Sequence, residues 1–218
     1  MLSRFGGLAA VIIVAVVVVV LGVRTPVRSA GTAGESLGPR SGQQVEQYVA
    51  DARVSMPDSG GPFWALVSLR HELTPAAAAV IPGSARVSRA VLRVPLDRVQ
   101  TPQVTVDLAD QGARVADLQG AMTVAADQLQ RSPAADERDA AVAQVSVSRL
   151  RNNCSCVLAL LVRGSAEELA TVAAHPDVRA VEAAPLGTQL RALSLTPLLP
   201  AQVTVVDPGA DDGAVPAA

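Results

Sequence analysis

Apolar positions along this chain fall into three regimes. From Gly6 to Val23 they are continuous: GGLAAVIIVAVVVVVLGV holds eighteen residues without a charge, between Arg4 and Arg24. About 20 such residues, rising 1.5 Å each, span a hydrocarbon core of roughly 30 Å. The pattern therefore predicts a transmembrane helix over 6–23. From Gln43 to Pro185 the apolar residues come in short runs and helical periodicities. Beyond Ala184 the chain turns Leu/Pro-rich and closes on DPGADDGAVPAA, which predicts a mostly disordered tail over 186–218.

A cleaved signal peptide and a buried core helix compete for 6–23. Signal cores run to roughly 7–15 apolar residues before a small-residue cleavage site. This run is longer, and Ser29-Ala30 is a poor site. A buried helix would need cover on every face. The flanking arginines, Arg24, Arg28 and Arg40 against Arg4, favour a cytoplasmic domain by the charge bias. The order of short basic start, long apolar core and Gly/Ser/Pro linker is that of a signal anchor. It predicts an extracytoplasmic domain on a single-pass anchor, with the bilayer as a partner through residues 6–23.

Residues 24–42 carry no apolar periodicity and are predicted as a flexible linker. Gln43–Met56 predicts a helix with Val45, Tyr48, Val49 and Ala52 on one face. Phe63–Arg70 reads as a buried strand. Thr74-Pro75 offers a cap and a proline at the first helical position for a helix over Ala76–Ile81, and Val87–Leu96 reads as a second strand. The order recurs later. Cys156–Arg163 is a strand, Ser165-Ala-Glu-Glu168 a capping box, the helix ends before His175-Pro176, and Val178–Ala183 closes the unit. Two strand–helix–strand units with right-handed crossovers make a four-stranded sheet with helices on one face. The predicted class is therefore α+β: an N-terminal transmembrane helix, then a ferredoxin-like βαβ…βαβ sheet domain over 43–185 with a helical insertion at 109–151. Within the insertion, Leu108, Val115, Met122 and Leu129 repeat every seven residues, with Leu118 and Ala125 interleaved. That seam suits a helix packed on the sheet, or a short intermolecular coiled coil. A second helix is predicted from Ala134 towards Leu150, although Val145–Val147 also suits a strand.

Composition narrows the function classes. All 18 basic residues are Arg and the formal net charge is -2, so there is no bulk attraction to nucleic acid. Four aromatics, Phe5, Tyr48, Phe63 and Trp64, are too few for base-stacking platforms or a carbohydrate cleft. No P-loop, GxGxxG, GxSxG or SxxK motif is present. No catalytic, cofactor-binding or metal-binding residue is assigned, and no small-molecule substrate is evident. The two cysteines, Cys154 and Cys156, form a possible disulfide or redox pair. On a strand their side chains share a face; a disulfide, buried free thiols and a soft-metal site such as Cu(I) all remain open for them. The two histidines, His71 and His175, show no partner set, and a helix C-terminus alone accounts for His175. Arg86, Arg89 and Arg93 make a weak basic stripe, with Arg89 and Arg93 on one face.

The C-terminal unit, Cys156–Pro185, resembles the propeptide and inhibitor domains of subtilisin-like proteases, which share a strand, a helix of the type EELATVAAHP and a closing strand like VRAVEAAP. This resemblance implies a ferredoxin-like unit and a regulator of an extracytoplasmic subtilisin-type protease. The whole chain is also similar to uncharacterised single-pass actinobacterial membrane proteins with a CxCV strand, which implies location and architecture only. The expectation is a non-enzymatic, membrane-anchored interaction or assembly module, partnered by another envelope protein or by itself. The alternatives are the protease regulator and a thiol- or copper-handling protein using Cys154 and Cys156.

Overall fold

The computed structural model describes residues 34–109 and 114–217. The predicted transmembrane helix over 6–23 and linker residues 24–33 lie outside them. No helix among the described residues is long and apolar enough to cross a membrane.

Short β-rich runs bounded by Pro, Gly and capping residues become strands β1 (Glu35–Leu37), β2 (Phe63–Leu73), β3 (Arg86–Arg93), β4 (Gln103–Asp107), β5 (Val157–Gly164), β6 (Val178–Ala183) and β7 (Leu193–Leu195). The helices are α1 (Val45–Ser55), α2 (Pro75–Val80), α3 (Arg114–Arg131), α4 (Glu137–Arg151) and α5 (Ala166–Ala173). Five strands form one antiparallel sheet in the order β4-β3-β5-β2-β6, and β1 pairs in parallel with β7 in a second, two-stranded sheet. The chain is thus α+β. The units β2-α2-β3 and β5-α5-β6 interleave: β5 lies between β3 and β2, and β2 lies between β5 and β6.

Local chemistry explains the helix starts. Thr74 accepts a hydrogen bond from the amide of Ala77 ahead of α2, with Pro75 at the first position. Asp136 accepts from the amide of Asp139 ahead of α4. Ser165 and Glu168 form a reciprocal capping box at α5.

Strand alternation divides the core. On one sheet face, Ala65, Val67, Leu92, Leu160 and Val181 pack with residues of α2–α5. On the other, Leu66, Val91, Leu158 and Leu161 pack with Leu37 and Leu193, while Val45 and Tyr48 of α1 meet Ala180, Leu198 and Val206.

Several expectations change. The sheet has five strands rather than four, because Gln103–Asp107 alternates exposed and buried residues and pairs with β3. Helices, expected on one face, lie on both: α2–α5 cover the first, and α1, with β1, β7 and residues 196–206, covers the second. Residues 186–218, expected as a mostly disordered tail, supply β7 and the buried Leu193, Leu198 and Val206. The linker expected over 24–42 contains β1, with Leu37 buried. In α3 the buried stripe runs from Leu118 through Met122 and Ala125 to Leu129, whereas Val115 is exposed and Leu108 precedes the helix. Residues 145–147 are helical, within α4.

Candidate functional site

Four side-chain assemblies stand out. The first is Cys154–Cys156. Helix α4 ends at Arg151, and Asn153 takes a left-handed conformation that turns the chain towards β5. The amide of Cys156 donates to Leu73 O at 3.0 Å, and the amide of Arg93 donates to Cys156 O at 2.8 Å. The two sulfurs are joined in a disulfide, with Cα atoms 5.3 Å apart. Cys156 is fully buried and Cys154 packs against the same core. Joined in this way, neither sulfur is a free thiolate for copper or for nucleophilic attack.

The second assembly unites the two histidines. The end of β2 brings His71 beside the turn between α5 and β6, and both imidazoles face Asp177. His71 Nε2 lies 3.7 Å from Oδ1 and His175 Nδ1 lies 3.9 Å from Oδ2. The amide of Asp177 donates to His175 Nδ1 at 3.2 Å, which places the proton of the neutral ring on Nε2. The sequence shows no partner for His71 because Asp177 lies on another strand connection. Among the described residues, no group of three or more His, Cys, Asp or Glu is arranged to hold a metal ion.

The third assembly is a cleft on the second sheet face. Arg93 Nη1 and Glu72 Oε1 pair at 3.3 Å on its floor, with side chains 13% and 10% exposed. The cavity above them holds about 320 Å³ and is walled by Leu199–Gln202 and by Asp207–Ala210. Arg179 shapes the nearer wall by donating to the carbonyls of Leu199, Pro200 and Gln202. Burial, then the neighbouring Arg70, lowers its pKa. Of the expected arginine stripe, Arg93 is held by Glu72, and Arg89 is held by Asp107 and by the carbonyl of Leu193.

In the fourth, Glu182 joins the end of β1 and helix α1 to the sheet. Its Oε2 accepts from the amide of Gly38 at 2.6 Å and from the Tyr48 hydroxyl at 3.1 Å. Burial raises the Glu182 pKa against the lowering effect of these donors. Burial and then the Glu182 charge push the Tyr48 phenol well above its ordinary range. Gly38 has φ +120°, and a Cβ there would lie 1.7 Å from Thr196 O. The hydroxyls of Ser68, Thr101 and Ser165 are likewise engaged with backbone groups of the fold.

These polar groups mostly fasten one chain segment to another. Compared with family models, curated proteins and solved structures, the chain matches none.

Proposed function

We propose that this chain is a membrane-anchored interaction or assembly module. Residues 6–23 hold it in the bilayer, and a non-enzymatic domain works on the extracytoplasmic side. The supporting observation is the groove between α3 and α4. It encloses about 650 Å³, is floored by Leu129, Ala140, Ala143 and Val147, and is rimmed by Gln144 and Arg151. Short apolar side chains inside a polar rim suit a docked protein segment. The Cys154–Cys156 disulfide supports the compartment, since such bonds persist in oxidising environments. The interleaved strand order supports a ferredoxin-like scaffold, with the α3–α4 pair as its insertion.

Cross-linking in cells, read by mass spectrometry, tests the module. Recurrent cross-links from the α3–α4 groove to one envelope protein, or to a second copy, are expected. Cross-links scattered over abundant neighbours would overturn the reading. A C-terminal topology fusion active only outside the cytoplasm is expected; activity inside would reverse the orientation.

A second reading is a propeptide-like regulator of an extracytoplasmic subtilisin-type protease, which the same strand order favours. It requires slow, tight inhibition of such an enzyme, and an unaffected panel would remove it. The thiol- or copper-handling alternative gains less support, because both sulfurs are joined to each other.

A further inference from the structure

The loop after β3 makes a tight turn, bridged between Leu96 and Val99, with Arg98 at φ 53°. Residues other than Gly seldom hold this left-handed conformation. Here the guanidinium of Arg98 grips Asp212 in a two-pronged contact: Nε donates to Oδ1 at 2.8 Å and Nη2 donates to Oδ2 at 2.5 Å. Gln100 binds the preceding residues, its amide donating to Asp211 Oδ1 at 3.0 Å and its Nε2 to Gly209 O at 2.9 Å. From the first turn of α4, Arg138 Nη2 reaches Asp211 Oδ1 at 3.3 Å, Asp211 O at 3.2 Å and Gly213 O at 2.9 Å. The amide of Gly213 donates to Arg98 O at 2.7 Å. A Cβ on Gly213 would lie 2.3 Å from Asp97 O, and Gly209 holds φ +75°. One short stretch is therefore read through three carbonyls, one amide and two carboxylates. Two glycines are demanded by backbone geometry.

This is how a protein recognises a peptide: main-chain bonds for affinity, charged forks and tight glycine contacts for specificity. We propose that the groove formed by Leu96–Gln100 and Arg138 is a binding site for acidic peptide segments of the Gly-x-Asp-Asp-Gly type, filled by the chain's own Gly209–Gly213 as an internal ligand. An acidic segment of a partner displaces it. The ion-paired side chains are open to solvent, Arg98 being 57% and Asp212 66% exposed, so the internal ligand exchanges without breaking a buried pair. Because Asp207–Ala210 also wall the cleft over Glu72 and Arg93, displacement uncovers that ion pair. The inference concerns a different surface from the α3–α4 groove and stands or falls separately from the proposed function.

The test is fluorescence anisotropy of a labelled GADDGA peptide, the sequence of residues 209–214, added to the full chain. D211N/D212N weakens the internal ligand and is expected to bind the peptide about tenfold more tightly than the unaltered chain, since a tethered ligand competes at high effective concentration. Binding should weaken with added salt. It should vanish when R98A/R138A is added to D211N/D212N, and for a GADDAA peptide. G213A is a second way to unseat the internal segment, through backbone collision rather than charge. Thermal unfolding of each variant establishes that it is folded. Failure of the peptide to bind either D211N/D212N or G213A would overturn the proposal, as would equal binding by the arginine-free variant or of GADDAA.

Discussion

Burial sets the behaviour of Glu182. Its carboxylate is held between the Gly38 amide and the Tyr48 hydroxyl, yet loss of solvent dominates and raises its pKa. A raised folded-state value means that its contribution to stability is full below the unfolded-state pKa and fades as pH rises through the folded one. Asp211, held by the Gln100 amide and Arg138, and Asp212, held by Arg98, have lowered values. Their contributions are present above the unfolded-state pKa and are lost as pH falls through the folded one. Lowering the pH through the folded-state value of Glu182 should therefore strengthen the fold, and lowering it further, below the ordinary carboxylate range, should loosen the Gly209–Gly213 segment. E182Q should abolish the first limb and keep the second. Melting temperature against pH, for the two proteins side by side, reads this directly; an unchanged first limb would refute it. None of these pairings was legible in the sequence. Glu182 meets the Gly38 amide just after β1 and the Tyr48 hydroxyl of α1, His71 meets Asp177, and Glu72 meets Arg93, all between segments that only the folded topology brings together. Asp136 was legible as a helix start because its bond to Asp139 is local.

At the scale of elements, the punctuation was the most readable feature. Ser165 and Glu168 announce α5, and their bonds measure 3.3 Å to the Glu168 amide and 2.8 Å from the Ser165 amide. Replacing Ser165 with Ala should cost about 1 kcal/mol of unfolding free energy, in line with other N-caps, as measured by urea titration. The Cys154–Cys156 loop is short, so the chain-entropy relation assigns it only roughly 1–2 kcal/mol. Reduction should lower the denaturation midpoint modestly and leave a cooperative transition; outright unfolding would show that the bond does more than close a small loop. β4 escaped recognition although its QVTVD alternation is regular, because five residues between two turns are a weak periodic signal. The heptad spacing in α3 identified Leu118, Met122, Ala125 and Leu129 correctly but overreached at Val115. The helix meets the sheet over a limited length and leaves that turn exposed.

At the scale of the molecule, both faces of one sheet are covered, the first by four helices and the second by an N-terminal strand, a helix and the C-terminal segment. The second cover was invisible from the sequence because Leu37, Leu193, Leu198 and Val206 have no shared period. They are buried only against a surface that exists once β2, β3, β5 and β6 have paired. Leu198 is fully buried, so L198A should cost about 2–5 kcal/mol; a change near zero would mean that the C-terminal cover is dispensable. The parallel pairing of β1 with β7 carries a mechanical consequence. Glu35, Ser36 and Leu37 register with Leu193, Ser194 and Leu195, and Gly38 is pinned under Thr196 and bonded to Glu182. Three registered residue pairs hold β1 to β7, so the strand leaves as one short unit. Once that short strand slips, Leu37 leaves its seat and Glu182 loses the Gly38 donor. β1 is therefore a latch: while paired it seats Leu37 and presents the Gly38 amide to Glu182, and its release exposes the second face of the sheet.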